Sequence, residues 1–219
     1  MTYILNIETA TKNCSVSLSE NGETIAFKEL ATESFSHAEK LHVFIADVLK
    51  EVNLNFKDLN AIAVSQGPGS YTGLRIGVSS VKGLCYALNL PMISIDTLAL
   101  LANQISIEEG IVVPMIDARR LEVYAAFYDT NGNQIREIKA EVIDENTYSE
   151  ISEKMHLVGD GALKLKSILT NDKFIFHDDV VFPSAKEMSK IAFDKYKKSD
   201  FVDVAYFEPF YLKDFVLNK

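Results

Sequence analysis

Basic residues are the scarce ones: 22 lysines and arginines stand against 31 aspartates and glutamates, leaving a net charge of −9. A chain so acidic does not by itself grip a phosphate backbone, which takes a basic patch. The nearest approach to one, Lys195 to Lys198 broken by Tyr196, reads better as an exposed helix end. Cysteine is rarer still, with Cys14 and Cys85 each inside an apolar periodic segment. That placement suits small core residues better than nucleophiles or disulfide partners. Of the four histidines, only His37 and His42 fall on one helix, five residues apart. A helical metal pair needs a spacing of three or four, so no zinc or iron site is expected. No Gly-x-Ser-x-Gly elbow occurs. No apolar run is long enough to span a bilayer, and no basic n-region precedes the first strand. The expectation is a cytoplasmic chain with no membrane association.

What is present is a 47% hydrophobic sequence of 219 residues, enough for one domain or two packed lobes. Residues 3–8 read as a strand, and Cys14, Val16 and Leu18 alternate with serines in a second. Asn21-Gly22 turns the chain into a third strand, Thr24 to Leu30. Ser36-His-Ala-Glu39 is a capping box opening a helix to Val52, with Leu41, Ile45, Val48 and Val52 as its core stripe. His42, Val43 and Ala46 lie off that stripe on a second, mildly apolar face. A strand at 61–66, a helix, a strand at 92–95 and a helix from Thr97 to about Gln104 complete an α/β lobe with a mixed sheet.

After Glu108-Glu-Gly110 the pattern begins again: strands at 111–117, 122–128 and 134–143, with Asn131-Gly132 as the hairpin turn. Short helices are expected at Tyr148 to Lys154 and Leu163 to Leu169, and strands at Leu157-Val158 and Phe174 to Phe176. A second capping box, Ser184-Ala-Lys-Glu187, opens a helix to about Lys197. The lobes expected are 1–107, with the tail 204–219 joining it, and 108–203. The tail itself has too little periodicity to place.

The most distinctive stretch runs from Ala61 to Leu84. An apolar strand stops at Gly67-Pro68-Gly69, with Ser70 and Thr72 as N-cap candidates for a helix from Leu74. Strand, glycine loop and helix can aim free N–H groups at an anion, through Gly67 to Ser70, Thr72, Gly73 and Arg75. The spacing alone favours a turn that needs the glycines for backbone geometry, because neither a P-loop nor a G-x-G-x-x-G spacing is present. In the helix, Leu74, Val78, Val81, Cys85 and Leu88 face the core. The opposite side carries Ile76, Ser79, Ser80, Gly83 and Ala87, small or apolar where a solvated helix shows Lys and Glu. Either another helix of this chain covers that side or a partner does.

A duplicated meander-plus-helices plan describes the actin, Hsp70 and sugar-kinase class of ATPases. There, nucleotide is cradled by turns matching Glu8-Thr9-Ala-Thr11, Asp117-Ala-Arg119-Arg and Gly159-Asp-Gly161-Ala here. The first two lack the glycine that lets backbone approach a phosphate. Arg119 stands where working members carry glycine, either neutralising an anion or filling the pocket with its bulk.

Gly67-Pro-Gly-Ser-Tyr-Thr-Gly-Leu-Arg-Ile-Gly77 resembles the signature of the bacterial TsaB (YeaZ-type) proteins. Ile4 to Thr11, His37 to Leu41, Asp117 to Tyr124 and Pro209 to Lys213 match the same family, with Glu8 where Asp is commoner and Lys213 for Arg. The resemblance implies an actin-like α/β fold with a degenerate nucleotide site. It implies a role in making threonylcarbamoyladenosine in tRNAs that read codons beginning with adenine. It further implies a non-catalytic subunit, with no catalytic residue, metal or cofactor of its own, residual ATP or ADP binding being left open. Its partners would be the catalytic paralogue TsaD and the ATPase TsaE, with a homodimer when TsaD is absent and tRNA met only through the complex. The rivals are a stand-alone ATPase or phosphotransferase and a metalloprotease.

Overall fold

The computed structural model describes residues 1–32 and 37–213. Among these, β1 (Tyr3–Glu8), β2 (Asn13–Glu20) and β3 (Glu23–Ala31) form the antiparallel meander, followed by α1 (His37–Glu51). Then come β4 (Ala61–Gly67), α2 (Tyr71–Leu88), β5 (Met92–Asp96) and α3 (Thr97–Ala102). The second series is β6 (Ile111–Asp117), β7 (Glu122–Tyr128), β8 (Gln134–Val142), β9 (Met155–Val158), α4 (Asp160–Leu163), β10 (Phe174–Phe176) and α5 (Met188–Lys197). Ser36, the expected cap of α1, lies outside the described residues.

The two sheets repeat one topology. The first runs β3-β2-β1-β4-β5 and the second, from its meander end, β8-β7-β6-β9-β10. In each, the first strand of the meander pairs antiparallel with the second and parallel with the strand that follows the meander. The α/β fold with a duplicated mixed-sheet plan is therefore present. The copies differ in their helices. Where the first has the 15-residue α1 and the 18-residue α2, the second has turns near 145–150 and the four-residue α4.

The chain divides into two compact units, Met1–Thr97 with the residues from Pro183 on, and Leu98–Phe182. The expected limits of 1–107 and 108–203 therefore move. Leu98, Leu101 and Ala102 pack with Val112, Ile116 and Val158 of the second unit. In the first unit, the Ser17 hydroxyl donates to the Ala185 carbonyl at 2.7 Å and the Ala185 N–H donates to Ser15 Oγ at 3.0 Å. Sequence periodicity cannot see partners 170 residues apart.

The core of the first unit joins Leu5, Ile7, Val16 and Leu18 from the sheet to Leu41, Ile45 and Val48 of α1 and Val78, Val81 and Cys85 of α2. Alternation in β1 and β2 puts Asn6, Glu8, Ser15, Ser17 and Ser19 on the other face, also buried. The tail crosses this unit: Val202 bridges Met92, and the Phe210 N–H donates to the Gln66 carbonyl at 2.7 Å.

Two expected helices of the second unit are shorter or missing. Residues 148–150 are turns and 151–154 irregular chain, and helix is confined to Asp160–Leu163 where Leu163 to Leu169 was expected. Tyr148 sits at φ +63°, outside helical space, and its hydroxyl donates to Glu141 at 2.7 Å. Arg136 forks onto the same carboxylate at 2.7 and 2.6 Å and lies 3.6 Å from the Phe127 ring centroid. Arg136→Ala removes the fork and the cation–π contact together, and should cost about 2 kcal/mol. Urea denaturation of the purified chain measures it.

Candidate functional site

α1 buries His37, Leu41, Ile45, Val48 and Leu49, which leaves His42, Val43 and Ala46 exposed, Val43 by 50%. His37 is a core residue, its Nε2 lying 2.8 Å from the Thr11 carbonyl, and burial holds its pKa below the usual value. In α2, Leu74, Val78, Val81 and Cys85 are buried as expected, while Leu88 is half-buried. Burial pushes the Cys85 thiol up to about 12 and Cys14, with Glu8 beside it, to about 11, so neither is a nucleophile.

On the far side of α2, Ser79, Gly83 and Ala87 are exposed and Ser80 half-buried. Ile76 differs from its expected place: it is half-buried and packs on the core of its own unit. Tyr86, 86% exposed, belongs to this face and was missed. The signal was there, since 79, 83 and 86 recur at helical spacing, but a search for small residues passes over a tyrosine. Two cations flank the face, Lys82 half-buried and Arg75 exposed. Lys82 Nζ donates to the Ala205 and Phe207 carbonyls at 3.1 and 2.9 Å, and the Arg75 guanidinium lies 4.3 Å from the Tyr71 ring centroid.

Gly83 is the informative residue. A Cβ built there meets nothing within 4 Å. Mid-helix glycine costs about 1 kcal/mol relative to alanine, and packing within the described chain does not require it.

The other α2 glycines have local reasons. A Cβ at Gly73 or Gly77 would stand inside the van der Waals envelope of Thr9, and one at Gly69 inside that of Ala10. The Thr9 hydroxyl donates to the Gly73 carbonyl at 2.8 Å, and the Ser70 N–H donates to the Ala10 carbonyl at 2.6 Å. Ser70 is the N-cap, accepting from the Gly73 N–H at 3.3 Å, and Thr72 is exposed in the first turn. Gly67, at φ +110° before the cis bond to Pro68, donates its N–H to Thr97 Oγ1 at 3.1 Å. The motif thus clamps the β1–β2 turn. This geometry favours the close-packing alternative over an open anion cradle. Gly73→Ala should destabilise the fold by about 2 kcal/mol through forced overpacking, measured by thermal unfolding.

Glu8, at the end of β1, is fully buried. Its carboxyl accepts from the Ala10 N–H, yet burial raises its pKa to about 7. Its Oε2 and the buried Ser65 hydroxyl have no hydrogen-bond partner within normal reach. In the second unit, the Asp117 and Arg119 N–H groups donate to Asp160 Oδ1 and Asp117 Oδ1 at 2.9 and 2.8 Å. Lys164 pairs with Asp117. Burial, with the Asp117 carboxylate adding to it, raises the pKa of Asp160. Arg119, at φ +77°, is exposed, so its side chain fills no pocket within its unit. Gly159 and Gly161 sit against the Met115 carbonyl, where a Cβ would collide. Among the described residues no group of three or more His, Cys, Asp or Glu is placed to hold a metal ion. No described helix is long and apolar enough to cross a membrane.

A family model described as TsaD: tRNA N6-adenosine threonylcarbamoyltransferase matches residues 31–206. The tRNA threonylcarbamoyladenosine biosynthesis protein TsaB of Escherichia coli is 33% identical, the match covering 99% of this chain and 96% of that one. TsaB of Haemophilus influenzae is 29% identical over 99% and 95%. The solved structure of YeaZ from Pseudomonas aeruginosa superposes with a TM-score of 0.84 at 25% identity, covering 97% of this chain and all of that one. An activator of 2-hydroxyisocaproyl-CoA dehydratase from Clostridium difficile, solved with bound ADPNP, shares the fold at TM-score 0.50 and 13% identity, over 91% and 96%.

Proposed function

Since this chain belongs to the TsaB family of threonylcarbamoyladenosine biosynthesis proteins, we propose that it acts there as a non-catalytic subunit that docks on the transferase TsaD. The docking face is the exposed side of α1 and α2: His42, Val43, Ala46, Ser79, Gly83, Tyr86 and Ala87. Gly83 carries this reading, because its missing side chain leaves room that no neighbouring atom of the described chain uses. A helix that gives up propensity there gains a close approach for another helix backbone. Tyr86 supplies the large amphipathic anchor that interfaces favour.

TsaD then performs the transfer, tRNA is met through the complex, and the ATPase TsaE joins the pair. A second copy takes TsaD's place on the face when TsaD is missing. The reading also assigns the chain to the cytoplasm. Support for a silent nucleotide site comes from the crowded turns: Gly69, Gly73 and Gly77 are filled by Thr9 and Ala10, and Gly159 by Met115. Mixing the chain with its cognate TsaD and running size-exclusion chromatography tests the docking, co-elution being expected. The isolated chain should show no micromolar ATP–Mg binding by calorimetry and no threonylcarbamoyl transfer to tRNA. Transfer by the unaccompanied chain would overturn the reading.

A further inference from the structure

His156 of β9 and His177, one residue beyond β10, are 21 positions apart in sequence, and the parallel pairing of β9 with β10 places them together. His156 Nδ1 lies 2.9 Å from His177 Nε2, with ring centroids 5.2 Å apart. The backbone fixes this meeting. Phe176 is paired with Leu157, and the His177 N–H donates to the Leu157 carbonyl at 3.0 Å. Two imidazoles so placed share one proton, one ring donating and the other accepting. The arrangement is costly as pure structure, because the buried Nε2 of His156 has no hydrogen-bond partner within normal reach.

We propose that His156 and His177 together bind a first-row divalent ion of the imidazole-preferring class, Zn²⁺, Ni²⁺ or Cu²⁺, with water completing the coordination. At Zn–N distances of about 2.0–2.1 Å, two nitrogens of a tetrahedral site lie about 3.3 Å apart. The pair reaches that by a few tenths of an ångström of opening and a turn of each ring. The metal takes the place of the hydrogen bond between the rings: the shared proton moves to the far nitrogen of the ring that carried it, so both ligands are neutral imidazoles and the neutral pair takes up the ion without net proton release. Both ligands are nitrogens, so Mg²⁺ and Ca²⁺, which take oxygen, are excluded. With two protein ligands the affinity is modest. The bound ion staples the three-residue edge strand β10 to β9.

The test uses the full-length untagged chain, stripped with chelator and dialysed, in thermal unfolding with ZnCl₂, NiCl₂ or MgCl₂. At tenfold excess over Kd, Zn²⁺ and Ni²⁺ should raise Tm by about 3–6 °C, and Mg²⁺ should leave it unchanged. His177→Gln, at a half-buried position on the rim, should fold and lose the rise, as should His156→Asn. Calorimetry should give one ion per chain for wild type. An equal response from His177→Gln, or no rise in wild type at millimolar Zn²⁺, overturns the proposal. Should His156→Asn fail to fold, the His177→Gln comparison alone decides.

Discussion

Gly83→Arg is expected to leave the isolated chain at least as stable as wild type while abolishing co-elution with TsaD. The two halves of that result have opposite physical origins. An arginine in a helix interior gains up to about 1 kcal/mol over glycine, and the new side chain meets nothing nearby in its own chain. In a docked complex the same guanidinium would be forced between two helix backbones, desolvated and unpaired. That costs about 3 kcal/mol or more, on the order of a hundredfold in affinity. Gly83→Ala should raise stability likewise, with a smaller loss of binding. Size-exclusion and titration calorimetry read the binding, and thermal unfolding reads the fold. A variant that binds at wild-type strength would move the docking face elsewhere. One that unfolds would show that Gly83 answers to the fold after all.

The duplicated sheet plan sharpens the argument. β1 to β5 and β6 to β10 follow the same path, so equal helices are expected between equivalent strands. Only the first copy has them at length, as α1 and α2, and those helices expose Val43, Gly83, Tyr86 and Ala87. The strands were legible because alternation and apolar runs are local signals, as in the serines of β2 or the continuous burial of β6. Tyr148 misled because its environment is not local. Arg136 and Glu141 hold it in a turn from the neighbouring strand, against a helical composition. Helix period found the core stripe of α2 but could not tell that Ile76 turns back onto its own core. The histidine pair was invisible for the same reason, since spacing rules search one element and this contact spans two strands. The turn glycines of 67–77 were found at once as a motif. That Thr9 and Ala10 pack against them is a contact between distant segments, which no motif spells out.

Glu8→Gln should stabilise the protein above neutral pH by about 3 kcal/mol, with little effect near pH 4. Glu8 ionises at about 7 in the folded chain against 4.5 for the free side chain, burial being the dominant cause. Between those values the native state holds a proton that the unfolded chain has released, so stability falls as pH rises. The slope is about 1.4 kcal/mol per pH unit, and it ends once pH passes the folded pKa, after a loss of about 3 kcal/mol. Glutamine cannot ionise and removes the slope. Its oxygen keeps the bond from the Ala10 N–H. The check is urea denaturation of both proteins between pH 4.5 and 8.5, where the two curves should diverge steadily and then run parallel. Curves that stay parallel throughout would mean that Glu8 is solvated in the native state. The expected divergence would show that β1 ends in a carboxyl whose ionisation the fold resists, and that the Thr9 turn clamped over it by Gly69, Gly73 and Gly77 keeps water out.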